Sequence, residues 1–283
     1  MAAPTRDQVQ ELAMQVLDEL GVEVTITDEG LESEEGVFGL GPLRARLGDY
    51  GEEDWVGLVR AHFEGLLRVE VVVPESYDEA RTRLRSAVIS EHAMGMFDGA
   101  LMERPLVDGL GERLMLRHGS MGMTVTEDVA SSWGVEMEQV WKEARERSIW
   151  DESVIRDVYM KEGLTFTAIR GGIWTSSRVL DLDRFIDPRI DYGVLTVVAA
   201  RDEVLFHQIR DDRFAEAAVA MIEFAGLGFD ETPFPVGCDL HWWFGDRLHR
   251  VGAPSHDGYR YLQVAEFSET LTRLERDLTD ERS

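Results

Sequence analysis

Four side chains near the end of the chain are of the types that bind zinc. Cys238, His241, His249 and His256 offer one sulfur and three nitrogen donors, and zinc takes four such ligands in a tetrahedron. Cys238 and His241 have the spacing of half a zinc site, but the two later histidines lack a second short spacing. If residues 238–243 form a strand, Cys238 and His241 point to opposite faces, because side chains alternate along a strand. We therefore predict no metal ion and no cofactor, and we retain the four residues as candidates for a metal-dependent alternative.

Two other groups have suitable residue types but lack the residues that their chemistry needs around them. Asp181, Asp183 and Asp187 could hold a cation, but the glycine and terminal glutamate of a calcium loop are missing. Ser120 lies in the sequence HGSMG, which differs from the Gly-x-Ser-x-Gly turn of hydrolases. We therefore name no catalytic residue and favour a non-enzyme. A hydrolytic or metal-dependent enzyme that uses the Cys238–His256 region is the alternative.

Acidic residues dominate the composition. The 283-residue chain carries 55 acidic and 29 basic side chains, for a formal charge of −26. Between Met1 and Asp54, 14 acidic residues stand against three arginines. Charge of one sign keeps a protein soluble and also steers partners of the opposite sign towards it. Direct nucleic-acid binding is disfavoured because no basic patch is present to replace the counterions of the phosphates.

The function that we predict is binding of a macromolecule through an acidic face. The partner is a protein, of basic charge in the most specific version, in which this chain acts as an immunity or inhibitor-type protein. One of Trp242 and Trp243 should face the core, and the second could serve as an aromatic anchor. A small-molecule sensor or a self-associating scaffold is a further alternative. The candidate contact residues are Asp28, Glu29, Glu32, Glu34, Glu35, Glu52, Glu53, Asp54 and Trp243.

The expected location is the cytoplasm. No run approaches the roughly 18 to 20 apolar residues of a membrane span, and the start MAAPTRDQVQ lacks the basic region and apolar core of a secretory signal. The single Cys238 excludes an internal disulfide and fits a reducing compartment. The sequence does not indicate an oligomeric state.

The stretch from Leu114 to Ser148 has the clearest pattern of secondary structure. An apolar run at residues 114–116 and alternation over residues 121–125 predict two strands joined by a turn. Thr126 is placed to cap a helix that ends at Gly134. An amphipathic helix follows, with apolar residues on one side and charged residues on the other.

The remaining patterns predict an α+β fold of antiparallel or mixed β-sheets covered by helices. Capping boxes predict helices after Thr5 and after Ser76, the second running through Leu84. A continuous β-branched run at residues 194–199 predicts a strand buried on both faces. Residues 86–111 show little periodicity, so we place a boundary there. The prediction is two closely packed halves, an acidic half at residues 1–90 and a second half at residues 91–283.

Two segments resemble the YtpQ-like family of bacterial proteins of unknown function. The first is LVDGLGERLMLRHGSMGMTVTEDVASSWGVEMEQVWKEARERS, and the second is the predicted hairpin VLTVVAARDEVLFHQI. The chain has Ala199-Ala200 where the family pattern has Pro-Ser before Arg201. The resemblance implies an intracellular α+β protein, and it brings no assigned chemistry and no catalytic residue.

Overall fold

The computed structural model combines helices with antiparallel sheets, which confirms the predicted α+β class. It describes residues 4–27, 30–33, 36–38, 40, 43–44, 47–48, 50–67, 73–95, 100–118, 121–150, 155–161, 163–187, 191–228, 234–255 and 258–281. The helices are α1 (Arg6–Glu19), α2 (Glu52–Leu67), α3 (Tyr77–Ala80), α4 (Glu127–Ser132), α5 (Met137–Trp150), α6 (Phe214–Gly228) and α7 (Ala265–Glu281), with 3₁₀ helices at Glu91–Ala93 and Thr175–Arg184. Within these ranges every helix is too short or too polar to span a lipid bilayer.

The strands form three sheets, and every pairing among the described residues is antiparallel. They are β1 (Thr25–Thr27), β2 (Gly30–Ser33), β3 (Gly36–Phe38), β4 (Leu84–Ser90), β5 (Glu103–Val107), β6 (Leu110–His118), β7 (Met121–Thr124), β8 (Ile155–Lys161), β9 (Leu164–Arg170), β10 (Val194–Ala200), β11 (Glu203–Gln208), β12 (Leu240–Phe244), β13 (Arg247–Ser255) and β14 (Gly258–Tyr261). The sheet orders are β1-β2-β3, then β14-β13-β12-β10-β11-β9-β8, and β4-β6-β5 with β7 beside β6.

The chain divides into two compact units at a different point from the predicted one. The first unit is Met1–Val73 with Asp230–Phe234, and the second is Pro74–Phe229 with Pro235–Ser283. Residues 84–90 belong to the second unit because all of β4 pairs with β6. This strand is buried on both sides, so its sequence lacks the alternation that marks a half-exposed strand.

In the first unit, α1 and α2 share one apolar core. Thr5 caps α1 as predicted, since its side chain accepts a hydrogen bond from the Gln8 backbone and the Gln8 side chain accepts one in return. Gly21 follows this helix with a φ of +78°, a conformation that glycine adopts without strain. The core residues from the two helices are Val9, Ala13, Val16, Leu17, Trp55, Val59 and Phe63.

The seven-stranded sheet of the second unit has a core on each face. All of β10 is buried, as its β-branched sequence predicts. Leu195 and Val197 face a core that includes residues of α6 and α7. Val194 and Val198 face the opposite core, which includes Val179 and Leu182 of the 3₁₀ helix at Thr175–Arg184.

The central stretch folds as predicted. β6 and β7 are paired strands, and the N–H of Val129 at the start of α4 donates to the Thr126 hydroxyl at 3.4 Å. Gly134 has a φ of +64° at the end of α4, and α5 follows. The predicted turn residues Gly119 and Ser120 lie outside the described residues. The helix after Ser76 is shorter than predicted, because it ends at Ala80 and Leu84 already pairs in β4.

Candidate functional site

The outer sides of α1 and α2 carry a set of exposed carboxylates, here called the acidic surface. Both helices are amphipathic, so burial of their apolar stripes places the acidic positions in solvent. Among the described residues of the first unit, eight acidic residues are exposed: Asp7, Glu11, Asp18, Glu19, Glu52, Glu53 and Asp54 on the two helices, and Glu23 shortly after α1. The acidic surface is therefore a product of the same helical pattern that builds the core.

Three predicted contact residues form the first turn of α2. Glu52, Glu53 and Asp54 are all exposed, and all three lie where the unpaired backbone N–H groups of the helix point. The helix dipole favours negative charge at this position, each charge by about 0.3–1 kcal/mol at low ionic strength. The fold thus places these carboxylates at a favourable helix end without covering them.

Few cations offset the acidic surface within the described part of the first unit. Arg60 of α2 forms an ion pair with Glu19 of α1, and a hydrogen bond from Gln15 together with Arg60 lowers the pKa of Glu19. The Nε of Arg44 donates to the carbonyl oxygen of Pro4 at 3.1 Å. Asp7 at the start of α1 forms no ion pair with any described residue, and the same holds for Glu52, Glu53 and Asp54.

Of the other predicted acidic contacts, one is among the described residues. Asp28, Glu29, Glu34 and Glu35 lie outside the described residues. Glu32 lies in β2, where its backbone pairs with Thr25 of β1 and Val37 of β3. The acids of α1 were not among the predicted contacts, although their signal is present in the polar positions of that helix. The acids of α1 are spread along the sequence, and it is the shared helical face that brings them together.

Trp242 and Trp243 lie on opposite faces of β12, and both contact a core. Trp242 is fully buried, donates through Nε1 to the Tyr192 carbonyl oxygen at 2.9 Å, and stacks on Phe244. Trp243 is half-buried and packs against the core cluster that contains Val194, its partner in β10. The Trp243 ring is therefore part of the fold as well as a partly accessible surface group.

The candidate zinc ligands do not converge among the described residues. In the pairing of β12 with β13, His241 stands opposite Arg250, whereas His249 stands opposite Trp242. Because directly opposed residues share a face, His241 and His249 lie on opposite faces of the sheet. Cys238 packs against the core on the Trp242 face, and His256 lies outside the described residues. No group of three or more His, Cys, Asp or Glu side chains in the described ranges could hold a metal ion.

His241 is a buried neutral base. It is 1% exposed, and its Nε2 lies 3.3 Å from the carbonyl oxygen of Asp108 in the turn between β5 and β6. Burial lowers the pKa of His241 to about 4, against a partial offset from Asp108 and Asp239. Burial also raises the pKa of the Cys238 thiol, with a further contribution from Asp239. A neutral thiol is a poor nucleophile, so neither side chain is activated for hydrolysis.

Two of the three aspartates at residues 181–187 pair with arginines. Asp181 forms an ion pair with Arg184, and Asp187 lies 3.4 Å from Arg210. Burial, together with the neighbouring carboxylate of Asp183, which accepts a hydrogen bond from protonated Asp181, raises the pKa of Asp181 to about 6. Asp181 and Asp187 therefore serve local ion pairs, and Asp183 is exposed, so the described carboxylates do not form a calcium-type loop.

A buried carboxylate that the sequence argument missed lies on β6. Glu112 is fully buried, and both of its oxygens accept hydrogen bonds from Arg145 of α5, at 2.7 and 2.6 Å. Arg104 of β5 adds a bond of 2.8 Å to the same carboxylate, and its guanidinium lies 4.4 Å from the centre of the Trp141 ring. This cluster joins three elements, and its fully paired charges indicate a structural role.

The chain matches no protein-family model, no curated protein and no solved structure in comparisons with known proteins. The resemblance to the YtpQ-like family therefore stays a prediction.

Proposed function

We propose that this protein binds a basic protein through the acidic surface of α1 and α2. The observation that carries the proposal is the set of eight exposed carboxylates in the described part of the first unit. The net charge of −26 adds a long-range attraction for cationic partners. The location that we propose is the cytoplasm, and the most specific version of the role is an immunity or inhibitor-type protein.

The chemistry of such a contact is electrostatic complementarity. Exposed carboxylates gain modest energy from each cation that they meet, so affinity comes from many pairs acting together. The first turn of α2 is suited to this role because Glu52, Glu53 and Asp54 are preorganised on a helix that is anchored by Trp55 and Val59. Charges carried by an anchored helix lose less conformational entropy on binding than charges carried by a flexible loop.

The described residues of the Cys238–His256 region are not arranged for metal binding or hydrolysis. His241 and His249 are separated by the sheet, and the thiol of Cys238 is half-buried with a raised pKa. We therefore propose no second function for the Cys238–His256 region.

The experiment is affinity capture from lysate of the native cell at about 0.05 M and at about 0.5 M salt. Screening shortens the reach of exposed charges from roughly 14 Å to roughly 4 Å over this range. We expect a basic protein that is retained at low salt and released at high salt. The absence of any basic protein at low salt, or capture that is insensitive to salt, would overturn the proposal.

A further inference from the structure

The outermost strand of the seven-stranded sheet leaves one side of its backbone unpaired. β8 pairs with β9 along its full length, from Ile155 opposite Arg170 to Lys161 opposite Leu164. No strand in the described part of the chain pairs with its other side. The N–H and C=O groups along this side are a template for a further strand.

β8 exposes apolar side chains on the sheet face that bears Ile169 and Phe206. Val158 is 59% exposed and Met160 is 78% exposed, and they stand opposite Thr167 and Thr165 of β9. The other face of β8 is anchored, because Tyr159 stacks on Phe166 at 5.2 Å and contacts Phe224 of α6. β8 is thus fixed in position by one face while its free edge and second face remain open.

The sequence of β8 is complementary to itself when read in the antiparallel direction. If Tyr159 is placed opposite Tyr159 of a second copy, Val158 comes opposite Met160 and Asp157 comes opposite Lys161. Around the central Tyr159, the apolar residues then meet apolar residues, and Asp157 meets a residue of opposite charge. Cross-strand pairs of these kinds are stabilising, whereas like charges in direct opposition are destabilising.

We propose that two copies of this chain associate through β8, paired antiparallel about a two-fold axis at Tyr159. The association extends the sheet across both copies and uses the same surface of each, as a symmetric dimer requires. The contact is short, so the dimer is expected to be weak and to depend on concentration. The proposal concerns a strand of the second unit and does not rest on the proposed function of the acidic surface.

The test is sedimentation equilibrium of the full chain over a wide concentration range. We expect the average mass to rise from the 32.0 kDa of the monomer towards twice that value. Lys161→Asp would place like charges opposite each other at two symmetric positions, and should weaken association about tenfold. The double variant Asp157→Lys with Lys161→Asp exchanges the charges and should restore association. Arg260→Asp, with the same change of charge on β14 at the other edge, is the matched control.

Asp157 also pairs with Arg170 at 3.1 Å, so substitution of Asp157 could disturb folding. A second measurement therefore uses the wild-type protein. Hydrogen exchange of the wild type should show β8 amides that become protected as concentration rises, while those of β14 do not change. A mass that stays at the monomer value at all concentrations would overturn the proposal. Equal weakening by Lys161→Asp and Arg260→Asp would do so too, as would protection confined to β14.

Discussion

Glu112 and Arg145 form a two-bond ion pair that fastens α5 to the middle of β6. The carboxylate is fully buried, and the two bonds measure 2.7 and 2.6 Å. Buried charges are tolerated when they are paired and hydrogen-bonded on all sides, and Arg104 completes the set here. The pair joins the sheet β4-β6-β5 to the helix that covers it.

Single substitutions at the buried pair should cost much more stability than a substitution at an exposed pair. Arg145→Met leaves Glu112 with Arg104 alone, and Glu112→Leu leaves two guanidinium groups facing an apolar side chain, so we expect each to cost about 3–5 kcal/mol of unfolding free energy. Urea unfolding followed by circular dichroism gives the values. Arg81→Ala, which removes a pair with the exposed Asp78, is the control and should cost less than about 1 kcal/mol. Equal losses for the buried and the exposed pair would show that Glu112 does not hold α5.

The buried His241 predicts loss of stability in weak acid. Its pKa is about 4 when folded and about 6.5 in a solvated chain, so only the unfolded state binds the proton between these values. Stability is therefore full above about pH 6.5 and falls as the pH drops towards 4, by roughly 3 kcal/mol at most. The charged or titratable groups around the ring are Asp108, Asp239 and Arg250.

The measurement is the unfolding free energy of wild type and His241→Gln at several pH values. The variant should lose less stability than the wild type between pH 6.5 and 4, because glutamine does not titrate in this range. Its stability at pH 7 serves as the reference for the cost of the substitution itself. Parallel pH profiles for the two proteins would refute this assignment of the acid-sensitive group.

The position of Gly122 in β7 leaves no room for a side chain. A Cβ at this position would lie 2.5 Å from the Trp174 ring, and Trp174 is 2% exposed and has little room to move. We expect Gly122→Ala to destabilise the second unit by about 1–3 kcal/mol. Gly226→Ala in α6 is the control, since nothing lies within 4 Å of the added atom, and it should be neutral or stabilise by up to about 1 kcal/mol. Thermal unfolding of the two variants separates the outcomes, and a Gly122→Ala protein as stable as wild type would contradict the packing described.

Features that depend on neighbouring residues were predictable from the sequence. The capping box at Thr5, the cap at Thr126 and the turn at Gly134 all rest on contacts within a few residues. The two-sided burial of β10 was predictable as well, because an unbroken β-branched run fits no half-exposed strand.

Features that depend on distant pairing were not predictable in this way. The pattern after Ser76 predicts a helix that runs through Leu84. The structure ends this helix at Ala80, because Leu84 pairs with Leu116 in the ladder of β4 and β6. The separation of His241 from His249 follows from the register of β12 and β13, which spacing alone does not give. Glu112 pairs with Arg104 of β5 and Arg145 of α5, two elements that are distant in the sequence, so no local motif predicts this cluster.

The most direct measurement of the central claim is the affinity of the captured basic protein for two charge-matched variants. Glu52→Gln/Glu53→Gln/Asp54→Asn removes three charges from the acidic surface, and Glu269→Gln/Glu275→Gln/Asp280→Asn removes three exposed charges from α7. We predict that the first variant binds roughly tenfold more weakly at low salt, with a shallower dependence on salt, while the second binds nearly as wild type. Equal weakening by both variants would contradict the claim. It would show that the partner's affinity depends on the net charge of the chain and not on the acidic surface of α1 and α2.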